Sequence, residues 1–195
     1  MEKADGRIMR EFVLYSRKGR TDGDFKTLKE AGRLDTVYQC ILTSIFKSHA
    51  HRPGVVFHAV LGGPPRPPLR IRIDGDTLRD VRVDERSWEA ILRSVLRGKA
   101  HPGISVDVMS IQGLVKRKHA DGYKIYVLEE KGEDISECDL SGDILVVLGD
   151  HIGLPKKDEK FLLRFGRKMS LGRETYLAAS CIDIVNYVID RSVEH

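Results

Sequence analysis

The chain has little cysteine and no long apolar run. Its three cysteines, Cys40, Cys138 and Cys181, stand 98 and 43 positions apart, which matches no CxxC or zinc-knuckle spacing and leaves an odd thiol. That pattern points to a reducing, cytosolic setting. No apolar stretch approaches the roughly 20 residues of a membrane span, and the opening MEKADGRIMREFVLY is too charged for a secretory signal. A cytoplasmic protein with no membrane partner is expected. Internal repeats and low-complexity tails are also missing. Nor is there a large charge excess: with 32% charged residues the net charge is only +4, which by itself does not mark an obligate polyanion binder.

The distribution of charge is more informative. Residues 1–100 carry 20 Lys and Arg against 13 Asp and Glu, and residues 101–195 carry 13 against 16. A phosphate-backbone contact therefore belongs in the front half. A length of 195 residues with 41% hydrophobic content suits one well-buried core, so residues 1–195 are read as a single domain.

Apolar strand-like runs occur at 11–15, 54–61, 69–73, 123–128 and 143–148. Segments of helical period lie between and after them, at 33–46, 84–97, 110–118, 156–165 and about 175–193. In the first, Leu34, Val37, Tyr38, Ile41, Leu42, Ile45 and Phe46 share one face. In the last, the apolar stripe is Leu177, Cys181, Ile184, Val185, Val188 and Ile189. Strands alternating with helices predict an α/β fold, a mostly parallel sheet with helices on both faces. Two irregular stretches interrupt it. SRKGRTDGDFKTLKEAG at 16–32 is long enough to be either functional or disordered. GGPPRPP at 62–68 is a stiff connector whose Arg66 either faces a phosphate or decorates a plain turn.

Ligands of α/β sheets gather beyond the carboxyl ends of strands, and LGDHIGLP at 148–155 begins at such an end. Gly149 and Gly153 allow close backbone approach, while Ile152 and Leu154 offer apolar walls. Asp150 and His151 fit a general acid/base pair or the wall of a loop; a metal site would need further ligands that nothing marks. KMSLGRETYLAASC at 168–181 repeats the grammar of short strand, glycine turn and helix, so the two loops can face each other across one pocket. Cys181 reads from the residues alone as a small core side chain or as a nucleophile with no identified base. GRLD at 32–35 is either a helix start with an acid on the helix dipole or a reactive pair.

LGDHIGLP followed by SLGRETYLAASC, with GRLD behind an N-terminal strand and GPP after VVFHAVLGG, closely resembles the archaeal tRNA pseudouridine-54 N1-methyltransferase family. That family belongs to the SPOUT class of knotted RNA methyltransferases, and the likeness spans essentially the whole chain. It implies a deep C-terminal trefoil knot in about 123–195, an exception to the usual avoidance of threading. It implies S-adenosylmethionine (SAM) as methyl donor, no metal, and a cradle of Leu128, Gly149, Ile152, Leu154, Ser170, Leu171, Gly172, Tyr176, Leu177 and Cys181. Asp35 and Arg33 become the catalytic pair, with Arg17, Lys18, Arg20 and Arg66 as RNA contacts. The partners it implies are tRNA and a second copy of the chain in a homodimer, with no DNA. Two rival functions are N1-methylation of a pseudouridine in small-subunit ribosomal RNA, and a non-catalytic knotted factor that binds RNA or assists ribosome assembly.

Overall fold

A computed structural model describes residues 8–192. From the N-terminus, β1 (Arg10–Ser16) leads to α1 (Leu34–Ile45), a hairpin of β2 (Phe46–Lys47) and β3 (Ala50–His51), then β4 (Val55–Leu61) and β5 (Leu69–Asp74). There follow α2 (Glu85–Leu96), β6 (Ile104–Asp107), α3 (Ile111–Ala120), β7 (Lys124–Asp134), β8 (Ile144–Gly149), α4 (Lys156–Leu162), β9 (Arg167–Ser170) and α5 (Ala178–Ser192).

Seven strands form one sheet in the order β6-β5-β4-β1-β8-β7-β9. From β4 to β9 every pairing is parallel, while β5 runs antiparallel to both β4 and β6. The continuous apolar runs explain the centre. All seven residues of β4 are buried, as are residues 144–148 of β8, which is what a parallel strand covered on both faces requires. On one face α1, α2 and α5 pack over Phe12, Leu14, Phe57, Ile71 and Val146. On the other α3 and α4 cover Val13, Val60, Ile125, Val127, Leu145 and Val147. Each such side chain stabilises the fold by about 1.5–3 kcal/mol when fully buried.

Local chemistry sets the element ends. Asp84 caps α2 by accepting the Ser87 N–H at 2.9 Å, and Ser110 caps α3 by accepting that of Gly113 at 3.1 Å. After α4 the chain turns into β9 past Gly166, where a β-carbon would lie 2.5 Å from the Ile125 carbonyl oxygen. Only glycine fits that approach to β7.

The structure departs from expectation in two places. The final helix starts at Ala178 rather than near 175, and its buried positions are Ile182, Val185, Asn186 and Ile189, while Leu177 precedes it and is 76% exposed. The β6 strand and the β2–β3 hairpin are additional. The 16–32 stretch, which the sequence leaves open between functional and disordered, is folded: Thr21, Leu28 and Ala31 are fully buried. It is tied to the proline-rich connector by Thr21 N–H to Pro64 O at 2.9 Å and Arg66 N–H to Thr21 Oγ1 at 2.7 Å.

Candidate functional site

The carboxyl ends of β1, β8 and β7 lie side by side because their parallel registers align Tyr15 with Gly149 and Val127 with Val147. Above them opens a cavity of about 660 Å³, within the range of small-molecule and cofactor sites. Its walls come from Leu128–Glu130, from the 148–154 loop, and from 169–179 with Cys181. Arg33, Thr36 and Gln39 enter from the start of α1, a hundred residues upstream. All ten residues expected to form the cradle line this cavity.

The 148–154 loop is held from within. The Asp150 carboxylate accepts the Arg17 N–H on Oδ2 at 2.8 Å and the Ile152 N–H on Oδ1 at 2.9 Å, and Asp150 is only 8% exposed. Asp150 therefore fastens the loop to the end of β1. His151 is exposed at the rim, and no hydrogen bond joins the two side chains among the described residues. At Gly149 a β-carbon would lie 2.7 Å from Leu154 N, so this glycine lets the loop close on itself. Facing it, the Ser170 hydroxyl donates to the Glu130 carbonyl at 3.2 Å and accepts the Gly172 N–H at 3.2 Å. The Cys181 thiol donates to Tyr176 O at 3.6 Å, and burial raises its pKa, which disfavours a nucleophilic thiolate.

Arg33 and Asp35 meet as a fork. Arg33 Nε donates to Asp35 Oδ1 at 2.9 Å and Nη2 to Oδ2 at 2.9 Å, and the carboxylate holds the guanidinium above its ordinary pKa. Arg33 reaches this position through an unusual backbone: Gly32 and Arg33 are both left-handed, with φ of 72° and 70°. The arginine lines the cavity, while Asp35 stands behind it and outside the lining. Of the expected RNA contacts, Arg17, Lys18 and Arg66 are exposed, whereas Arg20 is held by Asp22 through two bonds of 2.9 and 2.8 Å.

Sequence reasoning passed over the acids. Glu129, Glu130 and Glu174 line the cavity, and burial lifts the Glu129 carboxyl above its usual range, helped by Glu159. The signal for Glu129 and Glu130 is the acidic end of the YVLEE run at 126–130, and that for Glu174 is its place in the glycine turn at 168–181. Thr36 and Gln39 follow Arg33 at steps of three, which places polar residues on the cavity side of α1. Among the described residues no group of three or more His, Cys, Asp or Glu is arranged to hold a metal.

Comparisons with known proteins bear on the family and the fold. The family described as "Putative SAM-dependent RNA methyltransferase" matches residues 9–193. The tRNA (pseudouridine(54)-N(1))-methyltransferase of Methanocaldococcus jannaschii is 34% identical, over 94% of this chain and 97% of its own. That of Methanocella arvoryzae is 35% identical, over 94% and 100%. The fold is that of Archaeoglobus fulgidus Nep1, solved with S-adenosylhomocysteine, at a TM-score of 0.73 and 13% identity over 97% of this chain and 100% of the other. The chain belongs to the SAM-dependent RNA methyltransferase family.

Proposed function

We propose that this member of the family transfers a methyl group from SAM to N1 of pseudouridine 54 in the T-loop of tRNA. The observation that carries the reading is the cavity itself: three segments of the C-terminal half and Arg33 from α1 converge on one space. Its chemistry suits SAM. Leu128, Leu148, Ile152, Leu154 and Leu171 offer an apolar wall for a flat base, and Glu129, Glu130 and Glu174 favour the positive sulfonium and ammonium. The close likeness to curated tRNA enzymes over nearly the full chain favours tRNA over ribosomal RNA.

When bound, SAM supplies an electrophilic methyl on a good leaving group. The chain must then align the acceptor and exclude water. The acceptor nitrogen carries a proton, and losing it leaves negative charge on the uracil ring. Arg33 stabilises that charge from the cavity wall. Asp35 aims Arg33 through the two-pronged bond and, since it stands outside the lining, takes up the proton by relay rather than by direct contact, on the lone pair left on Oδ1. Arg17, Lys18, Arg20 and Arg66 contact RNA phosphate.

The same reading includes a single domain, a trefoil knot within about 123–195, a homodimer and a cytoplasmic setting. The knot is supported by the path of α5, which leaves β9 at the sheet edge and packs against the α1 face, while Ile135, Cys138 and Leu140 close over the same face. Exposed Ile152, Tyr176 and Leu177 at the cavity rim, with exposed Tyr187 further along α5, support self-association.

The test is labelled SAM with tRNA transcripts bearing uridine or pseudouridine at position 54. Label only in the pseudouridine form is expected. Transfer only to small-subunit ribosomal RNA overturns the tRNA assignment, and failure to bind SAM by calorimetry overturns the enzyme assignment.

A further inference from the structure

The linear charge count places the basic excess in the front half, yet the fold gathers a second basic surface from the back half. The acids there concentrate in 129–143, while α3 and the segment from α4 to Arg164 carry Lys116, Arg117, Lys156, Lys157, Lys160 and Arg164, all exposed. The two helices lie side by side and run the same way. Gln112 Nε2 donates to Asp158 Oδ1 at 2.6 Å near their starts, and the His119 and Phe165 rings meet at 5.3 Å near their ends. The strip is about 15 Å long.

Its acids are spent elsewhere. Asp158 is bonded to Gln112 and Glu159 to Lys168, and none of the six basic side chains is paired with a carboxylate among the described residues. Lys157, Lys160 and Arg164 recur at i, i+3 and i+7, which forms one stripe. Lys156 and Lys157 also sit in the first turn of α4, the wrong end of the helix dipole for a cation. Helix stability therefore does not account for them. Of the apolar residues of the segment, Leu162 is buried and Phe161, Leu163 and Phe165 pack partly buried against the core, which leaves no exposed large apolar side chain there for a lipid surface.

The strip adjoins the cavity. The 148–154 loop runs directly through Pro155 into α4, and Asp150 in that loop holds the backbone of Arg17, the first basic residue of the front-half segment. The two basic segments are thus joined through the cavity loop, which is bonded to Arg17 at one end and continues into α4 at the other.

We propose that the α3–α4 face binds the phosphate backbone of the substrate RNA outside the methylated loop, so that the enzyme grips a structured RNA body while the cavity receives the base. This rests on the proposed RNA methyltransfer. Lysines and arginines on an exposed helical face hold phosphate through their charge and read no sequence.

The test compares wild type with K157E/K160E/R164E, on full-length pseudouridine-containing tRNA and on a short hairpin of the T-arm alone. Affinity for full-length tRNA is expected to fall about tenfold or more, with the slope of log affinity against log salt shallower by about two to three. Methylation of the hairpin and binding of S-adenosylhomocysteine are expected to stay at wild-type levels. Unchanged affinity and slope for full-length tRNA overturn the proposal, as does an equal loss on both RNAs, which would place these residues at the cavity. Loss of binding to anionic vesicles with tRNA affinity intact would also overturn it. If wild type methylates neither RNA, the proposed function fails, while the tRNA affinities still decide the role of the strip.

Discussion

Asp150 is committed to two backbone N–H groups, those of Arg17 and Ile152, at 2.8 and 2.9 Å. An acid that stands beside a histidine at a strand end is thereby a fastener rather than a proton carrier. In Asp150→Asn only one oxygen can accept, and the amide opposes an N–H, an imbalance of about 1–3 kcal/mol. SAM affinity is expected to weaken by about tenfold or more by calorimetry, with the rate of methyl transfer at saturating SAM largely kept. A collapse of that rate at unchanged affinity would give Asp150 a chemical role.

Asp35→Ala is expected to lower the methyl-transfer rate by about 10² to 10³ with SAM affinity intact, because it releases Arg33 and removes the proton acceptor together. Asp35→Asn separates the two. Its carbonyl oxygen still accepts from Arg33 but takes no proton at neutral pH. Recovery to near wild-type rates in Asp35→Asn would leave Asp35 as a positioning residue only. A rate as low as that of Asp35→Ala is the outcome expected for a base.

The backbone that presents Arg33 is itself testable. Gly32 has φ of 72°, and a β-carbon there would lie 1.7 Å from the Lys18 carbonyl oxygen. Gly32→Ala must therefore move the 17–33 segment, at about 1–3 kcal/mol of stability for the strained backbone. Methyl transfer is expected to fall further than the melting temperature suggests, with S-adenosylhomocysteine binding preserved, because the displaced arginine is needed for chemistry. A loss that tracks unfolding alone would show that Gly32 serves only the fold.

Much of this arrangement was legible in the residues because period and burial coincide there. The stripe from Leu34 to Ile45 and the unbroken runs of β4 and β8 leave few alternatives for elements that face a core. The cradle was legible too, since glycines at strand ends mark where a loop must bend. What stayed hidden depends on distant pairing. Nothing in the order of residues says that Asp150 will meet the amide of Arg17, or that Asn186 will be buried while Leu177 is exposed. Asn186 is buried because Arg10 donates to its Oδ1 at 2.6 Å and its own Nδ2 donates to Thr43 O at 2.9 Å. Hydropathy places such a residue outside, and only the fold supplies its partners.

Glu11 belongs to that hidden class and carries the pH dependence. It lies on β1 within the sheet, 2% exposed, with Oε2 at 2.8 Å from His58 Nε2 and Oε1 accepting from Lys118 Nζ at 2.5 Å and the Tyr123 hydroxyl at 3.0 Å. Burial alone would raise its pKa, but the bonds to His58 and Lys118 outweigh burial and hold the carboxyl at about 2. Burial keeps His58 neutral by lowering its pKa. The Glu11 contribution is complete above its unfolded value, near 4.5, and is lost as pH falls from there through about 2. His58 acts in the same sense at higher pH, since an unfolded imidazole gains a proton below about 6.5 that the folded one resists. Stability is thus expected to decline on acidification in two stages. Glu11→Gln leaves Lys118 without its counter-charge and is expected to cost about 3–5 kcal/mol at neutral pH. In urea unfolding the gap between wild type and Glu11→Gln should narrow steadily below pH 4.5. A gap that stays constant from neutral pH down to the acid limit would mean that the shape of the side chain, and not its charge, holds β1, β4 and α3 together.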